Sequence, residues 1–395
     1  MSLDHPTSLC PRRYPFGEVH TLDLEADYRD CGPVTAVQLP SGAHAWLVTD
    51  HELARRVLRA DPVFSREQAN RPEVARLSTE VLPDWAILAT DPPRHTWLRT
   101  MIAGMFAPRQ IAAMAPAITA LAHGLVDELE AAGNTADIVS GFTEPFAAAV
   151  VCEMFDVPEQ FRHQVFALGD ALTARDASSE TLTAARGECE TLARAMAEQN
   201  PRGLFGMLGE SVSTDEAVLN LIIACLIGGR GSPTVFLSSA LFALLRERRR
   251  YQHLVDHPDA IAAAVEELLR FVPVGVGGGF TRVATVDVEL GPVQVRAGEA
   301  VIPAMHVANR DPKVFEHPDE LILDRGTKLA HLAFGHGAHY CVGAGLARLE
   351  ARVALETLTT RLPALRLADS TEDCAWRHGR VVRSLERLDV AWTRG

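Results

Sequence analysis

The segment HLAFGHGAHYCVGAGLARLEARVALETLTTRL, residues 331–362, sets one cysteine, Cys341, between a glycine-bearing loop and an amphipathic helical pattern that runs on from it. A thiol at the start of a helix meets backbone N–H groups and the positive end of the helix dipole, and both favour thiolate over thiol. Glycines at 335, 337 and 343 leave room for something flat and bulky to approach the backbone closely. The plainer alternative is a buried thiol whose glycines only make turns. Elsewhere, DPPRHTWLR, residues 91–99, holds His95 and Arg99 four apart. A helix puts both on one face. Glu267 and Arg270 form an acid–base pair three apart, worth only about 0.3 kcal/mol on an isolated helix.

A second unusual stretch is LIGGRGSPTV, residues 226–235. It lies inside the apolar run AVLNLIIACLIGGRGSPTVFLSSALFALLRE, residues 217–247. Each glycine costs about 1 kcal/mol against alanine in a helix interior, and the proline about 3. So much helix-breaking cost inside a helix-length apolar run calls for a local purpose. The run is long enough to cross a bilayer, but Arg230 and Pro233 at its middle argue for a buried core helix.

The elements that must position these residues are mostly helical. HELARRVLRA (51–60) and RQIAAMAPAITALAHGLVDELEAAG (109–133) carry apolar residues at three- and four-residue spacing. The second ends on Gly133, as a helix C-terminus should. Three further helical patterns lie between residues 142 and 199. Alternating, strand-like pieces are confined to TAVQLPSGAHAWLVT near the start, residues 286–305, and RLDVAW at the end. The expected fold is mainly α, one large helical domain over residues 1–395 with a small β-rich region and a short polar N-terminal lead, 1–20. A net charge of −13 with no basic block argues against nucleic acid. The first twenty residues lack a charged-then-apolar leader, so a soluble, cytoplasmic protein is expected. The seven cysteines are scattered without a CxxC pair, which suggests neither a disulfide frame nor a zinc site.

FGHGAHYCVG resembles the haem-binding loop of the cytochrome P450 family, FGxGxHxCxG. Phe334, Gly335, Gly337, His339, Cys341 and Gly343 fill all six specified positions, and GLAR follows. DPPRHTWLR is similar to the family's DPPxHxxLR segment, Glu267 to Arg270 to its ExxR pair, and Ala308–Pro312 to its late meander. The resemblance spans roughly residues 45 to 393. It implies a P450 fold and haem b, with Cys341 as the proximal thiolate ligand. It places Phe334 near the ring, and His339, His95, Arg99 and Arg282 at the haem propionates. Glu267 and Arg270 take a structural role. A thiolate ligand favours O–O cleavage over oxygen carriage.

By the same resemblance the long apolar helix crosses the distal face of the haem, with a local distortion that makes an oxygen groove. The family pattern there is Ala/Gly-Gly-x-Asp/Glu-Thr. Gly228 and Gly229 fall on the small pair, Arg230 on the variable position, Gly231 on the acid and Ser232 on the alcohol. Ser232 is therefore the catalytic candidate, and its acid partner is missing. Three readings follow. Water or a substrate group supplies the protons for ordinary hydroxylation or epoxidation; aromatic substrates are coupled or cyclised by radical steps; or hydrogen peroxide is used directly, with Arg230 or a substrate carboxylate assisting. A non-catalytic haem sensor is a remoter reading. The resemblance further implies a monooxygenase of bacterial secondary metabolism, with dioxygen as co-substrate and a small-molecule substrate, either free or tethered to a carrier protein. Electrons would come from NAD(P)H through a ferredoxin and ferredoxin reductase docking where Arg348 and Arg352 project, with no membrane partner. The substrate pocket is expected from residues 85–90, 165–195, 274–280 and 381–382.

Overall fold

The computed structural model describes residues 11–16, 22–59, 62–75, 86–173, 179–199, 216–275, 281–326, 328–368, 374–377 and 383–393. Ten helices of eight residues or more run through this part of the chain: α1 (His51–Leu58), α2 (Arg94–Ala103), α3 (Pro108–Ala132), α4 (Glu144–Met154), α5 (Glu159–Thr173), α6 (Ser179–Gln199), α7 (Glu216–Leu245), α8 (Arg248–Asp256), α9 (Ile261–Phe271) and α10 (Ala344–Arg361). Local chemistry marks their ends. Asp50 caps α1 by accepting from Leu53 N at 3.0 Å. Pro108 opens α3, where its missing N–H costs nothing, and the Gly133 N–H closes it on Leu129 O at 3.1 Å.

The expected strands are present and short. Val34–Gln38 (β1) and His44–Val48 (β2) pair antiparallel, and β2 runs parallel to Ala300–Pro303 (β4). Arg282–Ala284 (β3) then joins β4 antiparallel, which places Arg282 at the start of an inner strand. Asp389–Ala391 (β5) joins two more antiparallel neighbours in a separate three-stranded sheet. Helices α3, α4, α7, α9 and α10 share the main core, with Ile118, Val126, Phe142, Phe146, Leu268 and Leu358 buried together. No helix among the described residues is long and apolar enough to cross a membrane.

Two expectations change. The cysteine helix starts at Ala344, capped by Gly343, so Cys341 stands three residues ahead of it at the end of a loop. The long apolar helix is not broken. α7 runs unbroken from Glu216 to Leu245 with Pro233 inside it. Its residues 235–245 are buried on every side, and that packing offsets the local cost. Side-chain hydroxyls also bond to the carbonyls four residues back: Ser232 to Gly228 at 2.8 Å, Thr234 to Arg230 at 2.9 Å and Ser238 to Thr234 at 2.8 Å.

The acid–base pair on α9 is completely buried. Arg270 grips both oxygens of Glu267 at 2.7 Å, then donates to Asn309 O (3.0 Å), Pro318 O (2.7 Å) and Glu320 O (2.9 Å). Glu267 in turn accepts from Ile322 N at 2.9 Å and Arg325 Nε at 3.0 Å. Burial turns a pair of little worth in water into the anchor of the 309–325 meander. Glu267→Gln should cost about 3–5 kcal/mol, because it leaves buried guanidinium charge uncompensated. Urea unfolding measures this, and a loss below about 1 kcal/mol would show that the meander is held by other means.

Candidate functional site

Asp91 sets the start of α2. Its carboxylate accepts from Ser65 Oγ, from Arg66 N at 2.9 Å and from Glu67 N at 3.2 Å, and its carbonyl accepts from His95 N at 2.9 Å. His95 is thereby held buried, with Arg99 one turn further along the same face. Facing them is the cysteine loop. Gly335 and Gly337 both take positive φ, +72° and +76°. At Gly337 a Cβ would stand 2.8 Å from Arg59 Cα and from Leu58 O, so only glycine lets the loop lie against the end of α1. The turn Gly337–His339 then carries the His339 ring to 4.1 Å from the ring of His95, centroid to centroid.

Arg282 is buried beside this pair, and Arg66 lies next to it, donating to Leu88 O and Thr281 O at 2.8 Å. Burial first, and then the neighbouring cations, hold both histidines below the usual imidazole range. His95 is lowered by desolvation and Arg99, and His339 is pushed down to about 2 by desolvation, Arg282 and His95. His95 Nδ1 and His339 Nε2 are buried with no hydrogen-bond partner among the described residues. Four nitrogen-bearing side chains thus converge on one place where the nearby acid, Asp91, is already occupied. Such a set fits a dianion.

Cys341 lies beyond His339. Its N–H donates to Phe334 O at 2.9 Å, which folds the loop back on itself. The residue is accessible, yet desolvation still pushes its thiol up, while the Gly343 N–H and then Arg99 and Arg348 pull it down. Against its burial the sulfur thus has one N–H, from Gly343, and two cations, Arg99 of α2 and Arg348 of α10, groups of the kind that favour thiolate ligation. On the opposite side, Cys225 of α7 is close enough to feel a charge on Cys341. Gly228 and Ser232 share that helix face, three and seven residues on. Gly228, Gly231 and Ser232 are all exposed, and a Cβ on either glycine would meet nothing within 4 Å. Gly229 faces the other way, where a Cβ would lie 2.6 Å from Val151 Cγ2. This bare face is therefore made by absent side chains on a continuous helix, not by a break in it.

Six of the seven sequence-derived positions come together around the cysteine loop, Cys341, Phe334, His339, His95, Arg99 and Arg282, while Ser232 lies on the exposed face of α7 with its hydroxyl on Gly228 O. Two assignments change. Arg230 is committed to Glu144 on α4, 2.6 Å away, and covers the Phe166 ring of α5 at 5.0 Å, so it is not held in the groove. Arg348 is bound within the molecule to Glu266 and is not offered to a docking partner, whereas Arg352 stays half-exposed beside Glu356. Residues 85, 174–178, 276–280 and 381–382 of the expected pocket lie outside the described residues. Sequence reasoning missed Arg66 and Glu266. Neither carries a sequence pattern of its own: Arg66 stands alone, and the burial of Glu266 beside Glu267 emerges only in the fold.

The cysteine loop, the buried cation cluster facing it and the small-residue face of a long helix define a haem-thiolate oxidoreductase site. The family model for cytochrome P450 matches residues 246–363. The chain is 40% identical to nocardicin C N-oxygenase of Nocardia uniformis subsp. tsuyamanensis over 96% of this chain and 98% of that protein. It is 35% identical to mycinamicin IV hydroxylase/epoxidase of Micromonospora griseorubida, over 98% of this chain and all of that one. The crystal structure of HinD with NMFT and NO superposes with a TM-score of 0.89 at 37% identity, covering 98% of this chain and 100% of HinD. The chain belongs to the cytochrome P450 family and is a monooxygenase-type oxidoreductase, and the family's haem-thiolate cofactor fits the donor set found here.

Replacing one unpartnered imidazole separates folding from cofactor binding. His339→Phe removes a buried polar atom that has no partner, so the apoprotein should melt no lower than wild type. Haem should be lost from the variant at least several-fold faster. Thermal melts of apoprotein and haem-transfer rates check the two halves, and unchanged haem retention would remove His339 from the site.

Proposed function

We propose that this protein oxygenates a small organic substrate of bacterial secondary metabolism, with Cys341 as the thiolate ligand of haem b and Ser232 as the alcohol of the oxygen groove. The open face formed by Gly228, Gly231 and Ser232 on α7, the helix whose Cys225 lies within electrostatic reach of Cys341, carries this reading. Haem bound through a thiolate supplies the oxidising chemistry, with dioxygen as co-substrate and electrons drawn from NAD(P)H through a ferredoxin and its reductase. His95, His339, Arg99 and Arg282 orient the ring by its carboxylates, and the Gly343 N–H steadies the sulfur.

The distal side must exclude bulk water and deliver two protons for each oxygen atom released as water. Ser232 donates its hydroxyl hydrogen to Gly228 O, so its lone pairs are left to accept from water or a reacting group. Gly231 brings no titratable group to the acid position. Protons then come along ordered water or from a substrate group, and the outcome is hydroxylation, epoxidation or oxygenation of a heteroatom. N-oxygenation enters because it is the activity for which the relative with 40% identity is named. A second reading is favoured by that same glycine: aromatic coupling or cyclisation, which needs electron removal more than oxygen transfer.

Cys341→Ala should abolish the thiolate-type ferrous–CO spectrum, and survival of that spectrum would falsify the ligand assignment. Gly231→Asp places a carboxylate where nothing crowds it. If proton supply limits turnover, the variant should raise the share of electrons that end in product about two-fold or more, assayed as product formed per NAD(P)H. No change in that ratio would show that water or substrate already meets the need. A spectral titration of ferric protein with free and carrier-tethered candidates identifies the substrate class.

A further inference from the structure

We propose that the Glu266–Arg348 ion pair is a positioning device for the thiolate loop and sets the net charge behind the cysteine, an inference that rests on Cys341 being the haem ligand. Arg348 lies in the second turn of α10, seven residues past Cys341. Its Nε and Nη2 grip the two oxygens of Glu266 at 2.6 and 3.0 Å, the fork geometry that fixes a guanidinium in plane. The same guanidinium covers the Phe334 ring, its Cζ 4.7 Å from the centroid. Its Nη1 donates to Ala344 O and Tyr340 Oη, both at 3.3 Å.

The other end of the loop reaches the same carboxylate. His331 Nε2 donates to Glu266 Oε2 at 3.1 Å, while Nδ1 accepts from Ala333 N at 3.3 Å, which assigns the tautomer. Residues 331, 334, 340 and 344 are thereby tied directly or through Arg348 to one side chain of α9. Phe334 passes this order on, because its carbonyl holds the Cys341 N–H. Adjacent glutamates divide the labour of α9: Glu267 holds the meander and Glu266 holds the loop.

The pair also has an electrostatic effect. Arg348 is one of the cations whose field favours a negative sulfur, and Glu266, packed against it, cancels much of that field. Its carboxyl is desolvated, which raises it, but His331 and Arg348 together hold it down at about 2, so it stays ionised throughout the working range. Adding an electron to the cofactor makes the site more negative. A positive charge left uncompensated behind the cysteine should therefore ease reduction, and a negative one should oppose it.

The test compares holoenzyme of wild type, Glu266→Gln, Arg348→Gln and Arg348→Lys. Each sample gives a ferric/ferrous potential by spectroelectrochemistry and the fraction of its ferrous–CO spectrum that is thiolate-type. Glu266→Gln should shift the potential upward and Arg348→Gln downward. Arg348→Lys should keep the potential near wild type but lower the thiolate-type fraction, since the charge remains while the fork and the stack are lost. Shifts of the same sign in the two glutamine variants, or none while the thiolate-type spectrum persists, would overturn the proposal. If a glutamine variant does not load haem, Arg348→Lys decides alone, and a wild-type thiolate-type fraction in it rejects the positioning role. Absence of the thiolate-type spectrum in wild type itself would instead reject the assignment of Cys341.

Discussion

The buried ion network around Glu267 and Arg270 is the constraint on which the haem side of the molecule depends. Neither side chain has any exposure, so neither can exchange its partner for water. A guanidinium has more donors than one carboxylate can accept, and the surplus captures the carbonyls of Asn309, Pro318 and Glu320. These lie on irregular chain that has no helix or sheet ladder of its own to satisfy it. Asn309 carries the order onward, because its side-chain oxygen accepts from Leu332 N at 2.6 Å, two residues before Phe334. A pair worth almost nothing on an exposed helix thus decides the path of the chain into the cysteine loop.

Opposed to that loop, α7 combines two properties that usually conflict. Its second half is packed on all sides, whereas the face around Gly228, Gly231 and Ser232 is left bare. Helix-breaking residues are tolerated there because the packed turns that follow hold the backbone in register. Gly229 is small for another reason, its contact with Val151, so neighbouring glycines in one motif serve different ends. Arg230 then fastens the same turn to α4 and α5 through Glu144 and Phe166.

Much of this was legible in the sequence. The loop could be read because its residues are close together and match the FGxGxHxCxG pattern of the family, in which the glycines at 335 and 337 answer a local demand for positive φ. The helices of the main core followed from apolar spacing. What could not be read was pairing over distance. Arg348 and Glu266 are 82 residues apart and Arg230 and Glu144 are 86 apart, so each arginine looked available until the fold gave it a partner. The unbroken course of α7 was hidden for a related reason, since propensity is a local quantity and the packing that overrides it is not. The start of α10 was misplaced by three residues because Gly343, and not Cys341, makes its cap.

The crowding of His95 and His339 beside Arg99, Arg282 and Arg66 also bears on how the fold is completed. Held neutral, the two histidines bring unpaired buried nitrogens to each other, His95 from α2 and His339 from the cysteine loop. Closing α2 onto that loop therefore carries the cost of two polar atoms removed from water without a partner. A dianionic cofactor bound there would supply those partners and remove the cost. Its binding free energy is then spent in part on completing the fold, and by linkage the chain gains stability in proportion to how tightly it holds the ring. The prosthetic group in this sense completes the fold, supplying the partners that the chain itself leaves out.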